Sequence, residues 1–512
     1  MNTQSENPAF PLDRLAIGKD PEATALITRS GPLSYKMLNH RVGVLAHWLC
    51  DRGLVPGDRI ATWLPKTELA CVLPLAVARA GMVYVPANPV LKAAQVEHII
   101  ADCGARLLIT NGPRAKSLAE SSLQKSCDIL DEASVFENIS DHEESIAAND
   151  TDFDTDTLAA LLYTSGSTGR PKGVMLSHAN LSLGAVSVAE YLQLGSEDRT
   201  LCVLPLSFDY GQNQLFSTWA AGGCAVPLDY LTPRDVMKAC AKHAITTLAA
   251  VPPLWVQLVE QDWPADAVNA MRRLTNSGGA LTPSLVKQLR VIFSKSTDIY
   301  AMYGLTEAFR STFLAPELID DNPTSMGTAI PHAEIMVINA QGEQARPDEE
   351  GELVHTGPLV AQGYWQDELR TAERFKPAPS GSKYGGTAVW SGDTVKRKQD
   401  GLLYFVGRTD NMIKSSGNRI SPTEIEEAAV ESGMIAEAVA MGIADNRLGH
   451  AIHLYVRPKA GEEMQDLETR LAKHLKRSLP NFMHPHLIVP LESFPKNPNG
   501  KLDRNALAKA RT

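Results

Sequence analysis

An apolar run, Leu158-Ala-Ala-Leu-Leu-Tyr163, leads into Thr164-Ser-Gly-Ser-Thr-Gly-Arg-Pro-Lys-Gly173, and this junction constrains the chain more than any other stretch. The run has the length of a buried strand, and the glycines and hydroxyls after it describe a loop leaving that strand's end. Three glycines let the backbone turn inward and point N–H groups at one place, Thr164, Ser165, Ser167 and Thr168 add hydroxyls, and Lys172 adds a cation. That set suits a polyphosphate. The P-loop pattern G-x-x-x-x-G-K-[ST], started at Gly166, would put Pro171 where its second glycine belongs, which disfavours a P-loop kinase or GTPase. A flexible Gly/Ser linker would lack both the strand before the loop and the Arg-Pro-Lys-Gly exit after it.

The 512 residues allow several cores, and length alone suggests roughly two to four structural units. Lys and Arg total 49 against 59 Asp and Glu, a formal charge of -10, so no global basic field draws the protein to nucleic acid or to an anionic membrane. Seven scattered cysteines with no C-x-x-C or zinc spacing read as buried thiols in a reducing compartment, and the N-terminus has neither the basic start nor the apolar core of a signal peptide. A cytoplasmic location is expected. The longest apolar stretch, Leu69 to Pro86, is interrupted by Pro74 and Arg79 and is shorter than a membrane span needs, so no membrane insertion is expected.

From Leu33 to about Thr110, helical patterns alternate with short β-rich runs, the signature of an α/β sheet. Asp128 to Asp156 is acidic and reads as a surface excursion. Ser177 to Tyr191 reads as a helix, and Thr200-Leu-Cys-Val-Leu-Pro205 as a strand delivering Leu206-Ser-Phe-Asp-Tyr-Gly211. Asp209, three residues before Gln212, fits an N-cap box opening a helix through Ala220. Ile245 to Val251 is a buried strand stopped by Pro252-Pro253, and Arg273 to Ala280 is a strand into a glycine turn whose missing side chains would admit a flat ring or an acyl chain. Asp298-Ile-Tyr-Ala-Met-Tyr-Gly-Leu-Thr-Glu307 ends by setting an aromatic ring, a hydroxyl and a carboxylate within five residues. Those groups suit a base, a phosphate oxygen and a hard cation. Gly351 to Gly357 and Gly401 to Val406 read as strands of a smaller β-rich unit, with Trp390-Ser-Gly-Asp393 between them. Gly407 to Ile420 follows, then a helix from Ser421-Pro-Thr-Glu, a small α+β remainder, and the polar turn Pro495-Lys-Asn-Pro-Asn-Gly-Lys501. Lys473, His474, Lys476 and Arg477 could meet an acidic carrier protein but read as a solvated helix face.

The stretch Tyr163 to Gly173 resembles the phosphate-binding signature of the adenylate-forming superfamily, which comprises acyl-CoA synthetases, the adenylation domains of peptide synthetases, and luciferases. Five elements follow in the order that superfamily has. The resemblance implies a large N-terminal domain of α/β sheets with a small β-rich subdomain over residues 1–409. A small, mobile α+β C-terminal domain over 410–512 would pivot near Asp410. It implies ATP and Mg²⁺, with Thr164, Ser165, Gly166, Ser167, Thr168, Gly169 and Lys172 around the phosphates and Gly279, Ala280, Tyr303 and Gly304 around the nucleotide, Tyr303 against adenine. Thr306 would contact the α-phosphate, Glu307 would hold the metal, Asp393 would accept from the ribose hydroxyls, and Arg408 would contact ribose or phosphates. Phe208, Asp209 and Gly278 would line the acyl pocket, Gly417 would border a thiol tunnel, and Lys501 would reach the active site.

In amino-acid-adenylating members a Phe-Asp pair like Phe208-Asp209 binds the substrate ammonium, so Asp209 admits a second role beside the cap. Tyr210-Gly211 departs from that amino-acid pattern, and Ser391 stands where threonine is usual. Ser207 to Gly211 taken with Tyr303 to Arg310 is also similar to acyl-CoA ligases accompanying exosortase systems. The implied activity is ATP-dependent conversion of a small carboxylic acid to an acyl-adenylate with release of pyrophosphate, then transfer to the thiol of coenzyme A or of phosphopantetheine. The alternative is a free-standing amino-acid-adenylating enzyme that loads a carrier protein. A nucleotide-binding protein without turnover would not need Glu307, Asp393 and Lys501 together.

Overall fold

The computed structural model describes residues 9–119, 121–140, 144–150, 152–164, 171–408, 413–415, 418–445 and 449–509. Two extended sheets form its large N-terminal part. The first orders its strands Asp128–Asp131, Leu107–Thr110, Arg59–Trp63, Val83–Pro86, Leu158–Thr164 and Lys172–Ser177. All neighbours are parallel except the last pair, Leu158–Thr164 and Lys172–Ser177, which is antiparallel. Val83–Pro86 is wholly buried, as a parallel strand covered on both faces must be. The helix Glu68–Arg79 beside it accommodates Pro74 and is buried from Leu69 to its end.

The acidic segment after Asp128 is not an excursion throughout. Asp128–Asp131 pairs in parallel with Leu107–Thr110, and Glu132–Ser140 is a helix. The strand lies at the sheet edge with acids at both ends, so its composition reads as surface although Ile129 and Leu130 pack inward on opposite faces.

The second sheet has fourteen strands among the described residues. Its centre is parallel: Cys224–Pro227, Arg199–Cys202, Thr247–Ala250, Arg273–Asn276 and Asp298–Tyr303. Beyond Asp298–Tyr303 the pairing turns antiparallel through Thr312–Leu314, Ser325–Ala329, Leu403–Arg408, Thr387–Arg397, Glu350–Thr356 and Glu334–Ile338. The β-rich unit is therefore joined to the α/β sheet edge to edge. The smaller C-terminal part has its own core, in which Ile413, Ile425, Ile435, Ile452, Leu454, Leu471 and Leu475 meet. Its sheet joins Ile435–Asp445, Gly449–Pro458 and Leu487–Pro490. The helix Leu467–Ser478 buries Leu467, Leu471 and Leu475 and leaves Lys473, Lys476 and Arg477 in solvent, the solvated face expected for that cluster. No helix among the described residues is long and apolar enough to cross a membrane.

The helix Asp209–Ala220 is buried along nearly its whole length, and its first turn approaches the segment before it so closely that a Cβ on Gly211 would stand 2.0 Å from the Pro205 carbonyl oxygen. Gly211 is thus a packing necessity for the helix that carries Asp209. Gly211→Ala should push that helix off its seat and destabilise the protein by about 1–3 kcal/mol, the usual cost of overpacking. A thermal melt unchanged from the wild type would refute this account of Gly211.

Candidate active site

The parallel strands of the second sheet end side by side, and their C-terminal ends are where an open α/β sheet presents a crevice. After Arg199–Cys202 come Phe208 and Asp209, after Arg273–Asn276 come Gly278, Gly279 and Ala280, and after Asp298–Tyr303 come Gly304, Thr306 and Glu307. Gly304 has no room for a side chain, because a Cβ there would lie 2.9 Å from Arg310 Cα. Thr306 opens a short 3-10 turn and is buried. Gly279 and Ala280 are exposed at the mouth of the crevice.

Two charged groups form one wall. Lys172 Nζ lies 3.1 Å from a Glu307 carboxylate oxygen, and the Tyr364 hydroxyl donates to that oxygen at 2.6 Å. Lys172 Nζ also stands 3.9 Å from the centre of the Tyr364 ring. Burial alone would raise the Glu307 carboxyl, but Lys172 and the Tyr364 hydroxyl outweigh it and hold the group below its ordinary value. Burial lowers Lys172, with Glu307 opposing. In the second group the Tyr303 hydroxyl donates to Asp393, and Arg408 Nη1 lies 3.2 Å from the other carboxylate oxygen. Asp393 and Arg408 are register partners on adjacent antiparallel strands. Ser391 earns its place beside them: its hydroxyl donates to the Leu353 carbonyl at 2.7 Å and accepts from the Asp393 N–H at 3.1 Å. Thr164, at the end of its strand, has a buried hydroxyl oxygen with no hydrogen-bond partner. Ser165, Gly166, Ser167, Thr168 and Gly169 of the loop lie outside the described residues, as do Asp410 and Gly417.

The opposite wall is closed by the C-terminal part. Asn497 Oδ1 accepts from the backbone N–H groups of Asn499 and Lys501, each at 3.0 Å, folding Pro495–Lys501 into a tight turn. Asn88 holds that turn, its amide donating to the Pro498 carbonyl at 2.8 Å and to Asn499 Oδ1 at 3.1 Å. Lys501 then enters the crevice, its Nζ 4.5 Å from the centre of the Phe208 ring. It passes Gly278, where a Cβ would stand 2.5 Å from Lys501 Cε. Burial lowers Lys501 from its ordinary value, with Asp209 opposing.

Asp209 is not the helix cap. Phe208 occupies that position and no side chain caps the helix; Asp209 is the first helical residue, one step too far in for a capping box. The Gln212 N–H bonds instead to the Phe208 carbonyl at 2.8 Å. Asp209 is only 4% exposed, its Oδ1 has no hydrogen-bond partner, and its Oδ2 lies 3.8 Å from Arg310 Nη1. Burial raises its carboxyl, opposed by Arg310 and Lys501.

The fold thus gathers Phe208, Asp209, Gly278 and Lys501 in one cluster, with Glu307 within electrostatic range of Asp209 and Lys501, and pairs Lys172 with Glu307 and Tyr303 and Arg408 with Asp393. Sequence reasoning missed Tyr364, Asn88 and the part played by Arg310. Tyr364 and Asn88 sit in no motif, and only Arg310, inside the stretch following Tyr303, lay close to one.

Comparison with known proteins agrees with this arrangement. The model of the AMP-binding enzyme family matches residues 14–365, and that of the AMP-binding enzyme C-terminal domain matches 424–501. The chain is 31% identical over 503 residues to a probable non-canonical nonribosomal peptide synthetase, CymA, of Salinispora arenicola, covering 96% of this chain. It spans only 6% of that synthetase's length. Among solved structures, ATP-bound MatB from Rhodopseudomonas palustris superposes with a TM-score of 0.87 at 25% identity, covering 98% of this chain and 99% of MatB. The o-succinylbenzoate CoA synthetase MenE of Bacillus subtilis, in complex with its acyl-adenylate intermediate, gives 0.83 at 25% identity, with 98% and 99% covered.

The Glu307 cluster makes a pH prediction. Its carboxyl is lower in the folded chain than the 4.5 of an ordinary glutamate, so its stabilising contribution is complete above pH 4.5 and is lost as pH falls through the folded value. Tyr364→Phe removes a hydrogen bond that holds the carboxyl down. The acid-unfolding midpoint, followed by tryptophan fluorescence, should move to higher pH; a midpoint that stays put would show that Tyr364 does not support the charge on Glu307.

Proposed function

The chain belongs to the AMP-binding enzyme family, and on that premise we propose that it converts a carboxylic acid to its acyl-adenylate with release of pyrophosphate and then passes the acyl group to a thiol, as an acyl-CoA synthetase-like ligase. A carboxylate is a poor acyl donor because oxide is a poor leaving group, and adenylation replaces oxide with AMP. The observation that carries this reading is Lys501, a buried cation arriving from a separate core and facing Phe208, Asp209 and Gly278.

The donor set fits the groups the reaction requires. Asp393, flanked by Tyr303 and Arg408, has the two oxygens needed to accept from adjacent ribose hydroxyls. The partnerless Thr164 hydroxyl and the Lys172 ammonium suit phosphate oxygens. Glu307 offers a hard oxygen donor, and Mg²⁺ is commonly held by one or two carboxylates together with substrate phosphates. When bound, the metal supplies positive charge to the phosphates. The Thr306 hydroxyl donates to a non-bridging oxygen of the α-phosphate, and Lys501 draws the substrate carboxylate against the phosphorus while offsetting charge that grows on those oxygens. Little proton transfer is required. The second half-reaction needs a thiol where Lys501 stands, so we place a pivot near Asp410, between units 1–409 and 410–512, and a thiol path past Gly417. The free cysteines, six of them buried, support a cytoplasmic location.

Coenzyme A is one thiol acceptor, and the likeness to the o-succinylbenzoate CoA synthetase MenE supports it. Loading of a carrier protein with an amino acid is the alternative, favoured by the resemblance to CymA and by the partnerless oxygen of Asp209. Acid-dependent exchange of pyrophosphate into ATP without any thiol tests the first half-reaction directly. Lys501→Ala should depress that exchange by about 100- to 1000-fold, the range for removing one transition-state stabiliser. Thioester formation from a supplied acyl-adenylate should be largely retained. Equal loss in both steps would contradict the two-conformation account.

A further inference from the structure

Within electrostatic range of Lys501 lies a buried ion pair that is left open. Asp209 and Arg310 have side chains only 3% and 2% exposed, and their charged atoms stand 3.8 Å apart, beyond hydrogen-bond distance. Each has spare capacity: Asp209 Oδ1 lacks a hydrogen-bond partner, and so does Arg310 Nε. The guanidinium is held by a hydrogen bond with the Tyr191 side chain and by the Tyr210 ring, 4.7 Å from its centre, rather than by hydrogen bonds to the carboxylate. A pair built for stability looks different in this same molecule. Arg79 and Asp13 are equally buried, but Arg79 Nε donates to Asp13 at 3.1 Å, Asn149 donates to both Asp13 oxygens, and Arg79 Nη2 donates to Asn39. Burying two charges costs several kcal/mol per ion unless their remaining hydrogen bonds are made, and the Asp209–Arg310 pair leaves some of its own unmade.

An open pair of opposite charges in a binding pocket is the complement of a ligand that brings the opposite pair. Lys501 lies within electrostatic range of both residues and serves the reacting carboxylate. We propose that the acid this enzyme activates is an acidic amino acid, with one carboxylate at Lys501, its ammonium on Asp209 and its second carboxylate on Arg310. This rests on the acid-activating reading above. Each simpler acid leaves a defect. A monocarboxylate satisfies Lys501 alone; a neutral amino acid sets an ammonium near Arg310 and leaves Nε without an acceptor; a dicarboxylate lacking the amine turns its second charge toward Asp209. A site built to hydrogen-bond a polar group rejects the analogue without it far more strongly than an apolar pocket rejects a missing methylene.

The test is pyrophosphate exchange by the full chain with glutamate and aspartate, compared with glutarate and 4-aminobutyrate, which each lack one of the two groups, and with leucine, octanoate and benzoate. An acidic amino acid should exceed every other acid in kcat/KM by about 100-fold, the worth of a charged hydrogen bond in a buried site. Arg310→Gln should remove most of the preference for glutamate over 4-aminobutyrate, and Arg310→Lys should restore part of it; circular dichroism confirms that both variants are folded. Preference for leucine, octanoate or benzoate would overturn the substrate class and leave the acid-activating reading standing. If no acid supports exchange, calorimetric titration of glutamate separates the two ideas: binding that Arg310→Gln abolishes upholds the substrate class and defeats the reading of the chemistry, and absence of binding defeats both.

Discussion

The site is completed by burying one ammonium group. Lys501 leaves a turn folded by Asn497, gripped by Asn88, and ends over the Phe208 ring beside Asp209. Removing an ammonium from water is expensive, and the lowered pKa of Lys501 records that expense. Three features of the large domain offset it: an aromatic face, a buried carboxylate, and the missing side chain of Gly278, without which the lysine stem would collide with the loop. None of the three is close to Lys501 in sequence. The crevice therefore depends on a contact between two separately built cores, and a contact of that kind can be made and released without unfolding either.

The rest of the crevice repeats the motif of a charge held by a counter-charge and an aromatic hydroxyl. Glu307 is flanked by Lys172 and Tyr364, and Asp393 by Arg408 and Tyr303. In both trios the tyrosine donates to the carboxylate; for Glu307 this hydrogen bond and Lys172 hold the buried carboxyl below its ordinary value, and both carboxylates keep an oxygen-rich face suited to hydroxyls or a hard cation. Tyr303, Asp393, Arg408 and Lys172 stand on paired strands, whose pairing fixes side-chain direction, whereas Glu307 lies in a 3-10 turn and Tyr364 in a connecting segment bridged to Val174.

Legibility in the sequence followed locality. The strand Leu158–Thr164, the helix that Ser177 caps with a reciprocal bond to Asn180, and the strand ending in Tyr303 each announce themselves within a few residues. Tyr364, 192 positions from Lys172, has no local signature, and neither has Asn88, 410 positions from Pro498. Asp209 failed for a subtler reason. Its spacing to Gln212 matches a capping box, but the Phe208 N–H bonds to the Pro205 carbonyl and starts the helix with Asp209 already inside it, so the same residues point the carboxylate into the crevice. The edge strand Asp128–Asp131 was hidden by its acids, which face water at an edge and carry no information about the apolar pair between them.

Charge balance in the acid pocket bears on how the two half-reactions alternate. With Lys501 in place, Asp209, Arg310 and the lysine sum to one positive charge, which under the proposed substrate would be matched by a single reacting carboxylate once its other charges had met Asp209 and Arg310. Adenylation consumes that carboxylate, since the acyl carbonyl of the mixed anhydride is uncharged. In the proposed reaction the lysine would then face the one negative charge kept by the α-phosphate of the mixed anhydride, where before it faced that charge and the carboxylate, while the Asp209–Arg310 pair stays neutral with or without it. On that proposal, adenylation would weaken the contact that closes the crevice by removing one of the two anions beside the lysine.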